Sequence, residues 1–441
     1  MSNTELFRLL SALVLLLVAA HLLGRLFGRF RQPAVIGEIL GGLLLGPTLL
    51  GQVAPAASEW LFPKTGPVAS GLALVYQLGL LLLMFLTGTQ MRSVVGRDNV
   101  RAVTVISVVG MVIPFVLGLG FAAVTNPALI IGPADGRTSL TLVIAVAIAI
   151  TSIPVISRIM LDLGILRTPF ARIVLSIAVL EDIVLNVVIA MSLGLVNKGK
   201  TGEFGLVSLL GITSQTATIV YHAVVPVLFL AVAGFVGTRL RARFTGTGEP
   251  ASVLARSVVL VLAVSALCVF LGIVPLFGAF VVGLVSRRGE GGGEARHVEV
   301  VRGFSTAFFM PVYFAVIGLK LDLVHDLDPL FTAYFIAFAC LVKASSVYLG
   351  GRLSGTPPIP SLNLAIALNA RGGPGIVLAG VAYDAGIVNG RFFTTLVLTA
   401  VITSLIAGSW LEQAVARGLA PFDDTGVPVE KPLHTGRGPT P

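Results

Sequence analysis

Apolar runs long enough to cross hydrocarbon recur from one end of this chain to the other, and they decide what it can fold into. A transmembrane α-helix needs roughly 17–25 predominantly apolar residues. Runs of about that length lie at 6–23, 33–51, 67–90, 102–125, 139–157, 173–196, 217–238, 254–270, 272–286, 304–319, 330–351, 361–383 and 392–414. The expected fold is all-α and polytopic, with about thirteen transmembrane helices. Composition agrees, because 56% of the residues are hydrophobic and only 12% are charged. A soluble domain carries about a quarter charged residues, so a water-soluble globule is excluded. Glycine reaches 50 residues, as expected where helices pack closely in lipid. The weakest boundary is between the eighth and ninth runs, which only the turn from Gly272 to Pro275 separates.

A net charge of +9 would suit nucleic acid, but the positive residues follow the spans instead. Connections after alternate runs, starting with the first, hold eighteen Lys and Arg, among them Arg25, Arg29, Arg101, Arg172, Arg256 and Arg352. The opposite side holds seven, including Arg8, Lys64, Arg137, Lys320 and Arg391. Lys and Arg accumulate on the cytoplasmic side, so the pattern predicts a plasma-membrane protein with its N-terminus outside and its C-terminus inside. The first run lacks a basic leader of any strength and reads as a helix rather than a cleaved signal. Cys268 and Cys340 lie in apolar stretches without metal or disulfide spacing and read as packing residues.

The two halves of the chain resemble each other. The segment Pro33 to Leu43, with Gly37 and Gly42, aligns with Pro275 to Leu284, with Gly278 and Gly283. Leu83 to Gly88 likewise echoes Val312 to Gly318, and the fifth and twelfth runs each contain an internal proline, Pro154 and Pro374. Equivalent segments then run in opposite orientations, the inverted-repeat logic of secondary transporters. The expected division is a transmembrane domain over 1–421, built of repeat one (1–198), a linker helix (217–238) and repeat two (254–416), followed by a short disordered tail over 422–441.

Five ionisable residues lie at membrane depth: Glu38, Glu181, Asp182, Lys343 and Arg371. Each costs at least about 2.5–3.5 kcal/mol at the centre of an isolated helix, so such residues face a wet cavity or a partner. Glu38, near the start of its run, is equally well explained by capping or snorkelling. Glu181 and Asp182 are consecutive, so a helix turns them about 100° apart and they divide their partners. Adjacent carboxylates near a cation make a site where a proton and a metal ion compete. A structural acid–lysine pair joining the sixth and eleventh helices fits the same residues.

Two breaks sit at the depth of the acids. Pro154, in Thr151-Ser152-Ile153-Pro154, has no N–H for the carbonyl of Ile150, and Pro374, after Asn369-Ala370-Arg371-Gly372-Gly373, frees the carbonyl of Ala370. The freed carbonyls and the hydroxyls of Thr151 and Ser152 become available to a cation, and Arg371 and Lys343 can compensate the negative half-helix ends. Broken helices at midplane are tolerated only inside protein or beside water.

With these motifs the chain resembles the sodium/proton antiporters of the cation:proton antiporter-2 type, from Gln32-Pro33-Ala34-Val35-Ile36-Gly37-Glu38 through Glu181-Asp182, Phe309 to Gly318 and Lys343 to Asn369-Ala370-Arg371-Gly372. The resemblance implies a thirteen-helix antiporter with a mobile core and a dimerising scaffold, working as a homodimer in the lipid bilayer. It implies that Asp182 binds the transported Na⁺ or K⁺ and that Glu181 pairs with Lys343. The chain departs from the pattern at the first acid, where electrogenic relatives usually carry Asp and electroneutral ones often a neutral residue. It also has Gly373-Pro374 where relatives often show an acid. The activity expected is exchange of a monovalent cation for protons by alternating access; the other transport reading is a proton-coupled or channel-like exporter of K⁺ or of an organic ion drawn to Arg371. No phosphate loop, His-Glu-x-x-His motif or nucleophile elbow points to a nucleotide, a cofactor or an enzyme.

Overall fold

Prolines open many of the helices. The structure, a computed structural model, describes residues 1–29, 34–91, 100–165, 168–196, 205–211, 215–244, 250–285 and 301–417. Its principal helices are α1 (Asn3–Arg29), α2 (Ala34–Leu45), α3 (Pro67–Met91), α4 (Val100–Val124), α5 (Arg137–Ala149), α6 (Ile153–Asp162), α7 (Pro169–Val196) and α8 (Gln215–Phe244). They continue with α9 (Pro250–Phe270), α10 (Pro275–Val285), α11 (Met310–Leu319), α12 (Pro329–Leu353), α13 (Pro358–Ala367), α14 (Gly372–Asp384) and α15 (Gly390–Ala416). Six of them start on proline, whose missing N–H is no loss in a first helical turn. Asp328 and Asn389 cap α12 and α15 by accepting from the backbone N–H groups of Phe331 and Phe392.

Among the described residues nine helical segments are long and apolar enough to cross a membrane, and four shorter apolar helices accompany them. Each of the thirteen expected runs coincides with one of these. The fifth and twelfth runs are each two helices, α5 with α6 and α13 with α14. The tenth opens with a wide π-turn over Ser305–Phe309 before α11, which its sequence did not announce. The eighth and ninth separate at Gly272, whose φ of +67° suits glycine. The tail at 422–441 lies outside the described residues, as do the loop cations Arg31, Arg92, Arg97, Arg167, Lys198, Lys200, Arg287, Arg288 and Arg296.

Packing sorts the helices into two groups. The first joins α1, α2, α3, α9, α10 and α11; the second joins α4 to α7 and α12 to α15. Contacts between the groups are sparse, and α8 touches both through α7 and α10. The first group is locked by glycines. A Cβ on Gly42 of α2 would lie 1.7 Å from the Ala315 carbonyl oxygen of α11, and one on Gly318 would lie 1.9 Å from that of Ile39. In α3 and α10 the corresponding intrusions are Gly88 on Phe280 at 2.2 Å and Gly283 on Phe85 at 2.1 Å. Under the alignment of the two halves, Gly42 matches Gly283 and Ala315 matches Phe85, while Gly318 matches Gly88 and Ile39 matches Phe280. The two glycine contacts of one helix pair therefore map onto those of the other.

Gly42→Val should separate α2 from α11, since neither backbone can yield, with a loss at or above the upper end of the roughly 1–3 kcal/mol typical of overpacking. Gly373→Ala, where an added Cβ meets nothing within 4 Å, should leave stability nearly unchanged. Thermal unfolding in detergent micelles compares the two.

Candidate functional site

The second group is organised by two interruptions that cross. α5 ends at Ala149, the backbone turns extended at Ile150, and α6 starts at Ile153, so Pro154 occupies the second position of a new helix rather than a kink in a continuous one. Opposite it, α13 stops at Ala367 and α14 restarts at Gly372, with Pro374 in its first turn. The backbone N–H of Ser152 donates to the Ala370 carbonyl at 2.7 Å, and Thr151 Oγ1 lies 2.6 Å from that of Leu368. Proline freed the Ala370 carbonyl, and the other break fills it. Gly372 has a φ of +28°, and a Cβ there would sit 2.2 Å from Val155 Cγ2 and 2.8 Å from Ser152 Oγ. Only glycine allows the crossing to close.

Two buried cations hold the carbonyl ends together. Arg371 donates Nε to Ala147 O, Nη2 to Ile148 O and Ala339 O, and Nη1 to the backbone and side-chain oxygens of Asn369. A guanidinium has five N–H groups, and these five acceptors use them all. Asn369 also donates Nδ2 to the Cys340 carbonyl. Lys343 Nζ donates to Ala149 O at 2.7 Å, Gly110 O at 2.9 Å and Glu181 Oε2 at 2.8 Å, which satisfies an ammonium completely. Sequence reasoning missed the source of one of these acceptors: Pro114, inside α4, has no N–H for the carbonyl of Gly110 four residues earlier. It also missed the caps of α14, where the N–H groups of Arg371 and Gly372 donate to Thr403 Oγ1 and Ser404 Oγ. Their sequence signal was a hydroxyl-rich stripe along the last run.

The adjacent acids divide as their helical spacing requires. Glu181 Oε2 meets Lys343 and Thr151 Oγ1, the latter at 2.7 Å, inside the crossing. The single Thr151 proton serves either Glu181 or Leu368 at one time. Asp182 turns the other way and lines a cavity of about 260 Å³ between the groups, together with Thr87, Ile150, Leu276, Phe314, Gly373 and Pro374. It is the one ionisable side chain among the described residues lining that cavity. Glu181, Thr151, Ser152, Lys343 and Arg371 are buried around the crossing and do not line it. Glu38 is part-buried in α2 against Gly24 of α1 and is not among the residues lining the cavity. With every donor spent within the protein, Arg371 has none left for an organic anion. No cluster of three or more His, Cys, Asp or Glu able to hold a resident metal occurs among the described residues.

The chain is similar to known proteins. The family profile described as sodium/hydrogen exchanger, transmembrane, matches residues 12–417. The chain is 29% identical over 412 residues to the Na(+)/H(+) antiporter NhaS4 of Synechocystis, covering 92% of this chain and 97% of that protein. It is 31% identical to cation/H(+) antiporter 17 of Arabidopsis thaliana, covering 90% of this chain but 47% of the relative. It is 27% identical to K(+)/H(+) antiporter 1 of Saccharomyces cerevisiae, with 92% and 46% covered. The chain thus spans about half the length of several curated relatives it matches. Among solved structures, the sodium proton antiporter MjNhaP1 from Methanocaldococcus jannaschii at pH 8 aligns with a TM-score of 0.60 at 15% identity, over 92% of this chain and 97% of that one. That likeness is one of fold.

Lys343→Met should leave Glu181 buried without its counter-charge and cost about 3–5 kcal/mol of stability. Combining it with Glu181→Gln should recover the part of the loss due to the unpaired charge, while the Gly110 and Ala149 carbonyls stay without their donor, as read by unfolding temperature in detergent.

Proposed function

This chain belongs to the sodium/hydrogen exchanger family, and from that premise we propose that it exchanges Na⁺ or K⁺ for protons across a membrane, with Asp182 carrying either cargo. One observation carries the reading: a single carboxylate, 1% exposed, faces a cavity between two helix groups that touch each other sparsely. A carboxylate holds one proton or one monovalent cation, so the cargoes displace each other there without any further machinery.

In this reading the second group moves against the first, and Asp182 meets one side of the membrane and then the other. The relatives, named as antiporters of Na⁺, K⁺ or cations with H⁺, support it. Ile150 shares the cavity lining with Asp182, and its carbonyl is one that Pro154 cannot engage. Thr151 and Ser152 hold the crossing and position the helix break on which that carbonyl lies. Glu181 and Lys343 fix α7 against α12, so that movement of the crossing carries Asp182 with it.

The mapped glycine contacts support an internal repeat, with 1–198 and 254–416 as its halves and 217–238 as the linker. The arginine-rich connections support placing the C-terminus in the cytoplasm and the N-terminus outside, in the plasma membrane. The same reading has the protein as a homodimer built on the first group.

Asp182→Asn keeps the shape and removes the exchangeable charge. In proteoliposomes it should reduce cation-driven proton movement to the protein-free leak for Na⁺ and K⁺ alike. Exchange at the parent rate would discard Asp182 as the carrier.

A further inference from the structure

A second cavity, of about 400 Å³, lies at the other end of α14 and is lined in part by Gln77, Leu193, Phe270, Pro275 and Asp384. Leu276 and Val381 line both cavities, so these two side chains form the wall between them. The wall is itself shared, since Leu276 belongs to α10 in the first group and Val381 to α14 in the second.

Three residues after Val381, at a spacing that puts both on one helix face, Asp384 ends α14. Its carboxylate forms an ion pair with Lys320, the residue that follows α11 in the first group. The two side chains are 26% and 30% exposed, the aspartate to the cavity it lines. Lys320 Nζ also lies 4.3 Å from the centre of the Tyr76 ring of α3. That ring stacks on Tyr313 of α11 at 5.0 Å, and both tyrosines are buried. A Cβ on Gly380 would come within 2.9 Å of the Tyr76 hydroxyl, so α14 is seated directly on this pair. Carboxylate, ammonium and aromatic face thus tie the last turn of α14 to the first group beside the wall.

We propose that Lys320 and Asp384 form a latch between the two helix groups, that Tyr76 positions the lysine, and that the latch keeps the Leu276–Val381 wall shut on the Asp384 side. The proposal rests on the alternating-access reading above. With the latch closed, Asp182 is reached through the first cavity, whose lining extends to Gly28 and Ala34 at the opposite end of the bundle. Movement of α14 away from α11 has to break the ion pair, so the latch sets the balance between the two accessible states.

The test is a labelling measurement on the full chain with Cys268→Ala, Cys340→Ala and Val377→Cys, the last a residue lining the first cavity only. A membrane-impermeant maleimide is added from the side of residues 320 and 384. Lys320→Met and Asp384→Asn should each raise the labelling rate about fivefold, the range open to a part-exposed ion pair with a cation–π contact. The exchanged pair, Lys320→Asp with Asp384→Lys, should return it toward the parent rate. Equal rates in the parent and both single variants overturn the latch. In a second arm, without the Val377→Cys change, a reducible bis-methanethiosulfonate cross-link joining Lys320→Cys to Asp384→Cys should arrest cation-driven proton movement until it is reduced; transport at the uncross-linked rate overturns the proposal. Labelling requires no transport, so it decides the latch even where the exchange reading fails.

Discussion

Peptide carbonyls at the cut ends of helices need donors, and in this protein two buried side-chain cations supply them. Arg371 and Lys343 together offer eight N–H bonds, and eight acceptors take them, seven from backbone or amide oxygens and one from Glu181. Unwound backbone at membrane depth would otherwise carry unsatisfied polar groups worth several kcal/mol each. The interruptions of α5–α6 and α13–α14 are stable because each break, and each cation, completes the other.

That arrangement explains why the adjacent acids are unequal. Glu181 has been drawn into the network that closes the crossing, while Asp182, one residue on and about 100° around the helix, faces a largely apolar cavity. Two acids and two bases give the region no net formal charge when all four are ionised. A chain that kept one carboxylate for structure and one for the cavity needs both residue types in sequence, not merely near each other.

Much of this was legible in the sequence. The thirteen runs, the two breaks, the membrane-depth charges and the paired motifs with their glycines all follow from composition, proline chemistry and spacing. What stayed hidden was three-dimensional pairing. Nothing in the order of residues says that the Gly110 carbonyl freed by Pro114 waits for Lys343, because that match joins residues 233 positions apart. Thr151 and Ser152 looked like cation ligands by their type, and the order of residues does not show that the Thr151 hydroxyl meets Glu181 and Leu368 or that the Ser152 backbone N–H meets Ala370. Arg371 looked available to an anion, but its five hydrogen bonds all go to acceptors within the protein. In each instance the residue's chemistry was evident and its partner was not.

The four glycine contacts of the first group have a mechanical consequence. Where Gly42 meets Ala315 and Gly283 meets Phe85, main chain presses on main chain with no side chain between. Such seams have no rotamers to exchange and no cushion to compress, so they transmit displacement without absorbing it. The α2–α11 and α3–α10 pairs therefore behave as rigid girders, and any large excursion of this molecule is confined to the looser seam where the cavities lie.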